Sequence, residues 1–343
     1  METKPIRKRI EWIDWAKAFA TYFVVIVHLH FNWDVDMFVN GNVIPLFFMM
    51  SGYLFSYKNN PDYGAFAWKR FRQLVVPYIW ISALSYMFWL LVLRNFGYEP
   101  DPSPWYEPIR GMALCIPGLL KINIALWAFV CFFVVEMVYY PLGRLLKHPL
   151  VVAALFFILA YVMSSRFGHE SAMLPFSIAA AFGGVGFYAL GHWLRSQRWF
   201  EALFRGWIPA AVVLAVCVAV FVTTCWSNDK VQFYVGYYGN LGLLLLSGIS
   251  GAIGVMMVSY LLTKLFGDPK LVREISVSTL LICGFHIMAF SVIVGVWKIV
   301  FRGEPFINHM SLATGFGVAL LAYFLSLGLA WLVRRYARFL VDK

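Results

Sequence analysis

Long apolar runs separated by short polar segments repeat along the whole chain. A window of about 20 mostly apolar residues is the length of a helix that crosses a lipid bilayer. The pattern predicts ten such helices, over residues 12–31, 43–57, 74–94, 125–143, 149–164, 172–193, 207–226, 239–263, 275–300 and 309–333. We therefore predict an all-α, polytopic membrane protein. Residues 1–343 are expected to form a single membrane-embedded domain with no separate soluble domain.

The composition narrows the class further. Hydrophobic residues make up 62% of the chain and charged residues only 13%, which excludes an ordinary soluble domain. The net charge of +11 would suit a protein that binds nucleic acid. Here, however, the basic residues form short clusters between the apolar runs, as topology signals do. The expected partner is therefore the lipid bilayer, and no nucleic acid.

The basic residues also give the predicted helices a direction. With the N-terminus placed in the cytoplasm, 20 of the 28 Lys and Arg residues fall on the cytoplasmic side, as the positive-inside rule requires. An odd number of helices would move Arg334, Arg335 and Arg338 to the outer side and spoil this bias. We therefore predict that both termini are cytoplasmic.

The first predicted helix carries polar residues along one stripe. A charged side chain near the bilayer centre costs roughly 2.5–3.5 kcal/mol, so such groups usually face protein or a water-filled cavity. On a helix, Lys17 and His28 point in the same direction to within about 20° and lie about 16 Å apart along the axis. Asp14 and Thr21 fall near the same stripe, whereas His30 points to roughly the opposite side.

The stripe is compatible with several roles. An imidazole such as His28 can take a proton from a hydroxyl group near neutral pH, as a general base for acyl transfer must. It can also simply join two helices by a hydrogen bond. Asp14 can cap its helix or pair with Lys17. Buried Asp, Lys and His also suit the proton relay of a secondary transporter or glycan exporter, although the chain shows no inverted repeat.

Four further residues interrupt apolar helices, and each could serve either function or helix packing. Ser51 and Gly52 allow close approach of a neighbouring helix, of the first helix or of a ligand beside it. Glu136 is an intramembrane carboxylate, for which a Tyr or His on a neighbouring helix is the expected structural partner. The structural alternative for His286 is a hydrogen bond that packs two helices together.

The five cysteines lack metal or redox spacing, so no metal site and no permanently bound cofactor are predicted.

A basic cluster precedes the third predicted helix. Lys69, Arg70 and Arg72 lie at its cytoplasmic edge, where positive charge is ordinarily a topology signal. Arg and Lys also match the oxygens of phosphate groups. The cluster therefore has a second interpretation, as a site for the phosphates of a cytoplasmic cofactor or substrate.

Together these motifs resemble the acyltransferase-3 family of membrane acyltransferases, and most closely its fucose 4-O-acetylase-like polysaccharide acetyltransferases. The resemblance begins with a basic residue, ten intervening residues and a histidine, here Lys17 and His28. The family often has Arg at the first position. Lys17 keeps the positive charge but lacks the guanidinium group that can donate two parallel hydrogen bonds. Further matching segments follow in the family's order at 46–56, 69–78, 126–134, 187–194 and 275–287.

The resemblance implies O-acetylation of a cell-envelope or exported saccharide, or of a lipid-linked glycan, in a bacterial cytoplasmic membrane. Acetyl-coenzyme A, or another acyl-coenzyme A, is the implied donor, from the cytoplasm. His28 is then the catalytic base, with Lys17 and Asp14 beside it on the same helix. Arg70 and Arg72, together with Lys69, are expected to bind the phosphates of coenzyme A. Candidates for substrate contact or helix packing are Ser51, Gly52, Glu136, Ser276 and His286.

Overall fold

A computed structural model describes residues 9–96, 103–229, 231–301 and 310–341. These residues form helices joined by loops, with one isolated β-bridge between Gln232 and Tyr237. The all-α, polytopic class predicted from the apolar pattern is confirmed. Some basic residues used for the topology prediction lie outside the described ranges: Lys4, Arg7, Lys8, Lys230, Arg302 and Lys343.

Twelve helices of six or more residues, leaving out 3-10 helices, follow one another along the described chain. They are α1 Glu11–Val27, α2 Trp33–Leu54, α3 Tyr63–Leu93, α4 Glu107–Leu114, α5 Trp127–Leu146, α6 Pro149–Phe167, α7 Ile178–Arg195, α8 Arg198–Leu203, α9 Trp207–Cys225, α10 Leu241–Phe266, α11 Lys270–Phe301 and α12 Leu312–Tyr336. Eight of them are long and apolar enough to cross a membrane: α2, α3, α5, α6 and α9–α12. Helices α1 and α7, of 17 and 18 residues, occupy the first and sixth predicted spans.

Several boundaries differ from the apolar windows because polar side chains cap or line the helices. Helix α2 begins well before the predicted residue 43, where Asn32 accepts a hydrogen bond from the Val35 amide. Helix α3 begins after Asp62, which accepts one from the Ala65 amide. Such side-chain caps satisfy amides that have no partner inside the helix. The basic cluster 69–72 consequently lies inside α3 rather than at its edge.

The long helices run in alternating directions. At one end of the bundle, the Trp15 indole near the start of α1 donates to the Gly267 carbonyl between α10 and α11, at 2.9 Å. At the other end, the Trp226 indole after α9 donates to the Asp34 carboxylate at the start of α2, at 2.8 Å. We call the end that holds the first turn of α1 the N-terminal side, and the end that holds His28 the opposite side.

Helices α2 and α7 pack backbone against backbone through two glycines. A Cβ atom on Gly52 would lie 1.9 Å from the Tyr188 carbonyl oxygen, and one on Gly191 would lie 1.9 Å from the Met49 carbonyl oxygen. Neither position has room for any side chain. Of the alternatives for Gly52, the structure therefore supports close packing of helices, and the helix it approaches is α7 rather than α1.

Helix α1 packs against α10, α11 and α12. Its Thr21 is fully buried and donates a hydrogen bond to the Lys17 carbonyl at 2.6 Å, with the Thr279 hydroxyl of α11 at 3.3 Å. Tyr323 of α12 donates to the Ala18 carbonyl at 2.9 Å. These contacts fix α1 within the bundle and turn the Lys17 side of the helix toward an internal cavity.

Candidate functional site

A cavity of about 930 Å³ follows α1 from one side of the bundle to the other. At the N-terminal side it is lined by Arg9, Asp14 and Lys17, and at the opposite side by His28 and His30. Arg9 and His30 have side chains that are 41% and 65% exposed. The lining therefore reaches the surface at both ends. Asp14, Lys17 and His28 of the predicted stripe face one continuous space, whereas Thr21 packs against α11.

His28 occupies the end of α1, directly after its last residue, Val27. Its Nδ1 atom lies 2.7 Å from the Val24 carbonyl oxygen and 3.1 Å from Nε2 of His286 on α11. His286 is fully buried behind it, and the two ring centroids are 4.7 Å apart. Within the described residues, Nε2 of His28 has no hydrogen-bond partner. The ring therefore offers this nitrogen as the one available for a ligand in the cavity.

His30 shows where helical periodicity fails. The sequence prediction placed it on the opposite face of α1 from His28, and this was wrong, because the helix ends at Val27. His30 itself has a positive φ of 48°, and the chain turns there. Both rings line the cavity, with centroids 6.4 Å apart, and Nδ1 of His30 lies 3.3 Å from the Asp36 carboxylate.

Asp14 is held by a cation and a hydroxyl. Arg9 donates from Nε to one carboxylate oxygen at 2.6 Å, and the Ser276 hydroxyl of α11 donates to the other. The hydrogen bond that Arg9 donates to Asp14, together with the negative charge of Asp14, raises the pKa of the Arg9 guanidinium above its ordinary value. Pairing of Asp14 with Lys17, which the sequence left as one alternative, does not form, because Arg9 and Ser276 bind the carboxylate instead. In the described chain, the Lys17 ammonium has neither a hydrogen bond nor an ion pair.

Arg70 forms a buried ion pair with Glu136. A π-helical turn, Phe71–Val75, follows Arg70 in α3. The Arg70 guanidinium donates through Nη2 to Glu136 Oε1 at 2.5 Å, and its Nε donates to the second oxygen of the same carboxylate. A third donor, Nη1, binds Gln73 at 2.7 Å. The partner of Glu136 is thus Arg70, and not the Tyr or His expected from the sequence.

The structure brings only part of the predicted set together. The predicted residues that line the cavity are Asp14, Lys17, His28, Ser51, Arg70 and Ser276. Glu136 and His286 lie directly behind Arg70 and His28. Lys69 and Arg72 are exposed and are not part of the lining.

Sequence reasoning missed several lining residues, among them Arg9, Gln73, Gln232 and Tyr234. Arg9 was assigned only to a topology signal, and Gln73 lacks any charge that draws notice. Gln232 and Tyr234 come from the loop between α9 and α10, which a search for membrane spans discards. Only the spacing of five residues between Arg9 and Asp14 could have indicated their ion pair.

These features define a polytopic membrane protein whose helices enclose a largely apolar cavity with a cationic end and an imidazole end. The sequence model of the acyltransferase-3 family, described as "Acyltransferase domain", matches residues 10–335. The chain therefore belongs to the acyltransferase-3 family and is a membrane acyltransferase. No curated protein and no solved structure matched the chain.

Proposed function

We propose that the protein is an integral-membrane O-acetyltransferase. It would transfer the acetyl group of acetyl-coenzyme A to a hydroxyl group of a cell-envelope or exported saccharide, free or lipid-linked, in a bacterial cytoplasmic membrane. The observation that carries this proposal is the single cavity along α1. It holds Lys17 and Arg70 toward one side and the free Nε2 atom of His28 toward the other.

The donor is proposed to enter from the N-terminal side, which the distribution of basic residues predicts to face the cytoplasm. Lys69 and Arg72 are exposed there on α3, and Arg70 faces the cavity from the same helix. These three cations are the proposed partners of the phosphates of coenzyme A. Because Glu136 already neutralises Arg70, Lys17 is the lining cation best able to supply net positive charge inside the cavity.

The acceptor is proposed to reach His28 from the opposite side. His28 Nε2 would take the proton of the sugar hydroxyl while its oxygen attacks the thioester carbonyl carbon. Collapse of the tetrahedral intermediate breaks the carbon–sulfur bond, and the departing thiolate takes the proton back from Nε2. The products are the acetyl ester and free coenzyme A. The pantetheine arm is long enough to bridge the axial distance of about 16 Å between Lys17 and His28.

Replacing His28 with Ala tests this role. Membranes that contain H28A should lose acetylation of the glycan from acetyl-coenzyme A, whereas H148A should retain it. His148 is an exposed histidine in the link between α5 and α6, so it controls for the loss of an imidazole. Normal activity of a correctly inserted H28A protein would refute the proposal.

The same assay distinguishes transfer from transport. An acyltransferase should consume the thioester in detergent, where no ion gradient exists. A proton-coupled exporter would leave the thioester intact and respond to the gradient instead. Mass spectrometry of the envelope glycan, with and without the protein, would then identify the acetylated sugar.

A further inference from the structure

The partly buried His28 and the fully buried His286 form a chain of contacts whose protons can be assigned. Nδ1 of His28 faces the Val24 carbonyl at 2.7 Å, and Nδ1 of His286 faces the Ile282 carbonyl at 3.3 Å. A carbonyl oxygen can only accept a hydrogen bond. In the neutral rings, each Nδ1 must therefore carry the proton, and each Nε2 keeps its lone pair.

This assignment makes the contact between the rings directional. Nε2 of His286 lies 3.1 Å from Nδ1 of His28, so the lone pair of His286 faces the N–H of His28. The reverse arrangement, with His286 as donor, would leave a lone pair of His28 against the Val24 oxygen at 2.7 Å. His28 thus donates one proton to two acceptors, the Val24 carbonyl and the His286 ring. Its Nε2 atom is left as the basic nitrogen.

We propose that His286 is a positioning residue that keeps His28 in this form and stabilises the imidazolium ion when His28 takes the acceptor's proton. The inference rests on the proposed function, in which Nε2 of His28 is the base. An acceptor on the distal N–H of an imidazole raises the basicity of the other nitrogen. His286 gains and loses no proton in this scheme, and its complete burial keeps water from replacing it.

His286→Leu and His286→Gln separate this role from helix packing. Leu fills the space without an acceptor, whereas the amide oxygen of Gln reaches about as far as Nε2. A hydrogen bond to a charged group is worth a rate factor of about 10 to 150. We expect H286L to lower kcat by that factor with unchanged KM for acetyl-coenzyme A, and H286Q to recover most of the loss.

The matched control is His192→Leu. His192 on α7 also makes a side-chain hydrogen bond between helices, to Tyr139 at 2.5 Å, and it does not line the cavity. Its replacement should lower thermal stability while kcat per folded molecule stays unchanged. An H286L protein that behaves in the same way, or an H286Q protein no better than H286L, would overturn the proposal.

A second measurement does not depend on acetylation. Diethyl pyrocarbonate adds an ethoxycarbonyl group to the nucleophilic nitrogen of an imidazole, and mass spectrometry of the His28 peptide gives the rate. The rate should fall in H286L and recover in H286Q, even if the acceptor saccharide is unknown. Equal rates in all three proteins would contradict the positioning role and leave the proposed function standing. Full acetylation by H28A would instead refute the proposed function.

Discussion

The ion pair between Arg70 and Glu136 gives a prediction that separates structural from substrate-binding roles. The Glu136 side chain is 4% exposed and that of Arg70 is 24% exposed. Removing one partner of a buried pair leaves an uncompensated charge and costs roughly 3–5 kcal/mol of unfolding free energy. Arg70→Met should approach this value because it strands the more deeply buried carboxylate. Glu136→Gln should cost less, because Arg70 keeps Gln73 and its access to the cavity.

The double variant R70M/E136Q should be more stable than R70M, since neutral side chains in place of a buried pair are often tolerated. A matched surface variant is Lys121→Met, which removes a pair with Glu107 whose side chains are 62% and 41% exposed. That loss should cost only about 0–1 kcal/mol. The expected order of stability is therefore K121M, then the double variant, then R70M.

Thermal unfolding in detergent can be followed with a thiol-reactive dye, because four of the five cysteines are buried and react only when the bundle opens. Cys283 is partly buried and lines the cavity, so its reaction gives the baseline. Comparison of the two single variants with the double variant isolates the coupling energy of the pair. A coupling near zero, or an R70M protein as stable as K121M, would refute the reasoning. Arg70 would then be available for a substrate phosphate without structural penalty.

Three further predictions concern other parts of the chain. G52A should prevent folding, because a Cβ atom there meets a backbone carbonyl of α7. G295A in α11 should fold normally, because a Cβ atom there has no neighbouring atom within 4 Å. Size-exclusion profiles in detergent test both variants. K69A and R72A should raise KM for acetyl-coenzyme A by about 10-fold. If either residue binds the 3′-phosphate, its replacement should raise KM less for a donor that lacks this phosphate. K17R should retain acetylation and K17M should lose it, because the cavity needs the positive charge and not the shape of the lysine side chain. Equal activity of the two variants would contradict this.

The sequence predicted the helical class and the stripe on α1 because both depend on local periodicity. Lys17 and His28 are separated by three helical turns, and the helix holds them on one side. His30 was misplaced because the end of α1 depends on the turn of the chain there, which a periodic pattern does not contain. The same limit explains the late start predicted for α3: its first turns are polar, and an apolar window excludes them.

Pairings across the bundle were beyond the sequence for a different reason. Glu136 and Arg70 are 66 positions apart, and nothing in either local segment indicates the other. The same holds for His28 and His286, which are 258 positions apart. Each residue alone had an ordinary packing explanation. Only the three-dimensional arrangement shows that Glu136 neutralises Arg70 beside the cavity. It also shows, from the contact between His28 and His286, which ring nitrogen carries the proton.

The paired and unpaired polar groups along the cavity support the proposed function. Inside a bilayer, an unpaired polar group is energetically costly, and this bundle pairs a carboxylate of α1 and a guanidinium of α3. Asp14 binds Arg9 and Ser276, and Arg70 binds Glu136. In the described chain, the Lys17 ammonium and Nε2 of His28 are left without such partners, and both face the same space. A donor with phosphates would pair with the Lys17 ammonium, and an acceptor with a hydroxyl group would pair with Nε2 of His28, as the proposed reaction requires.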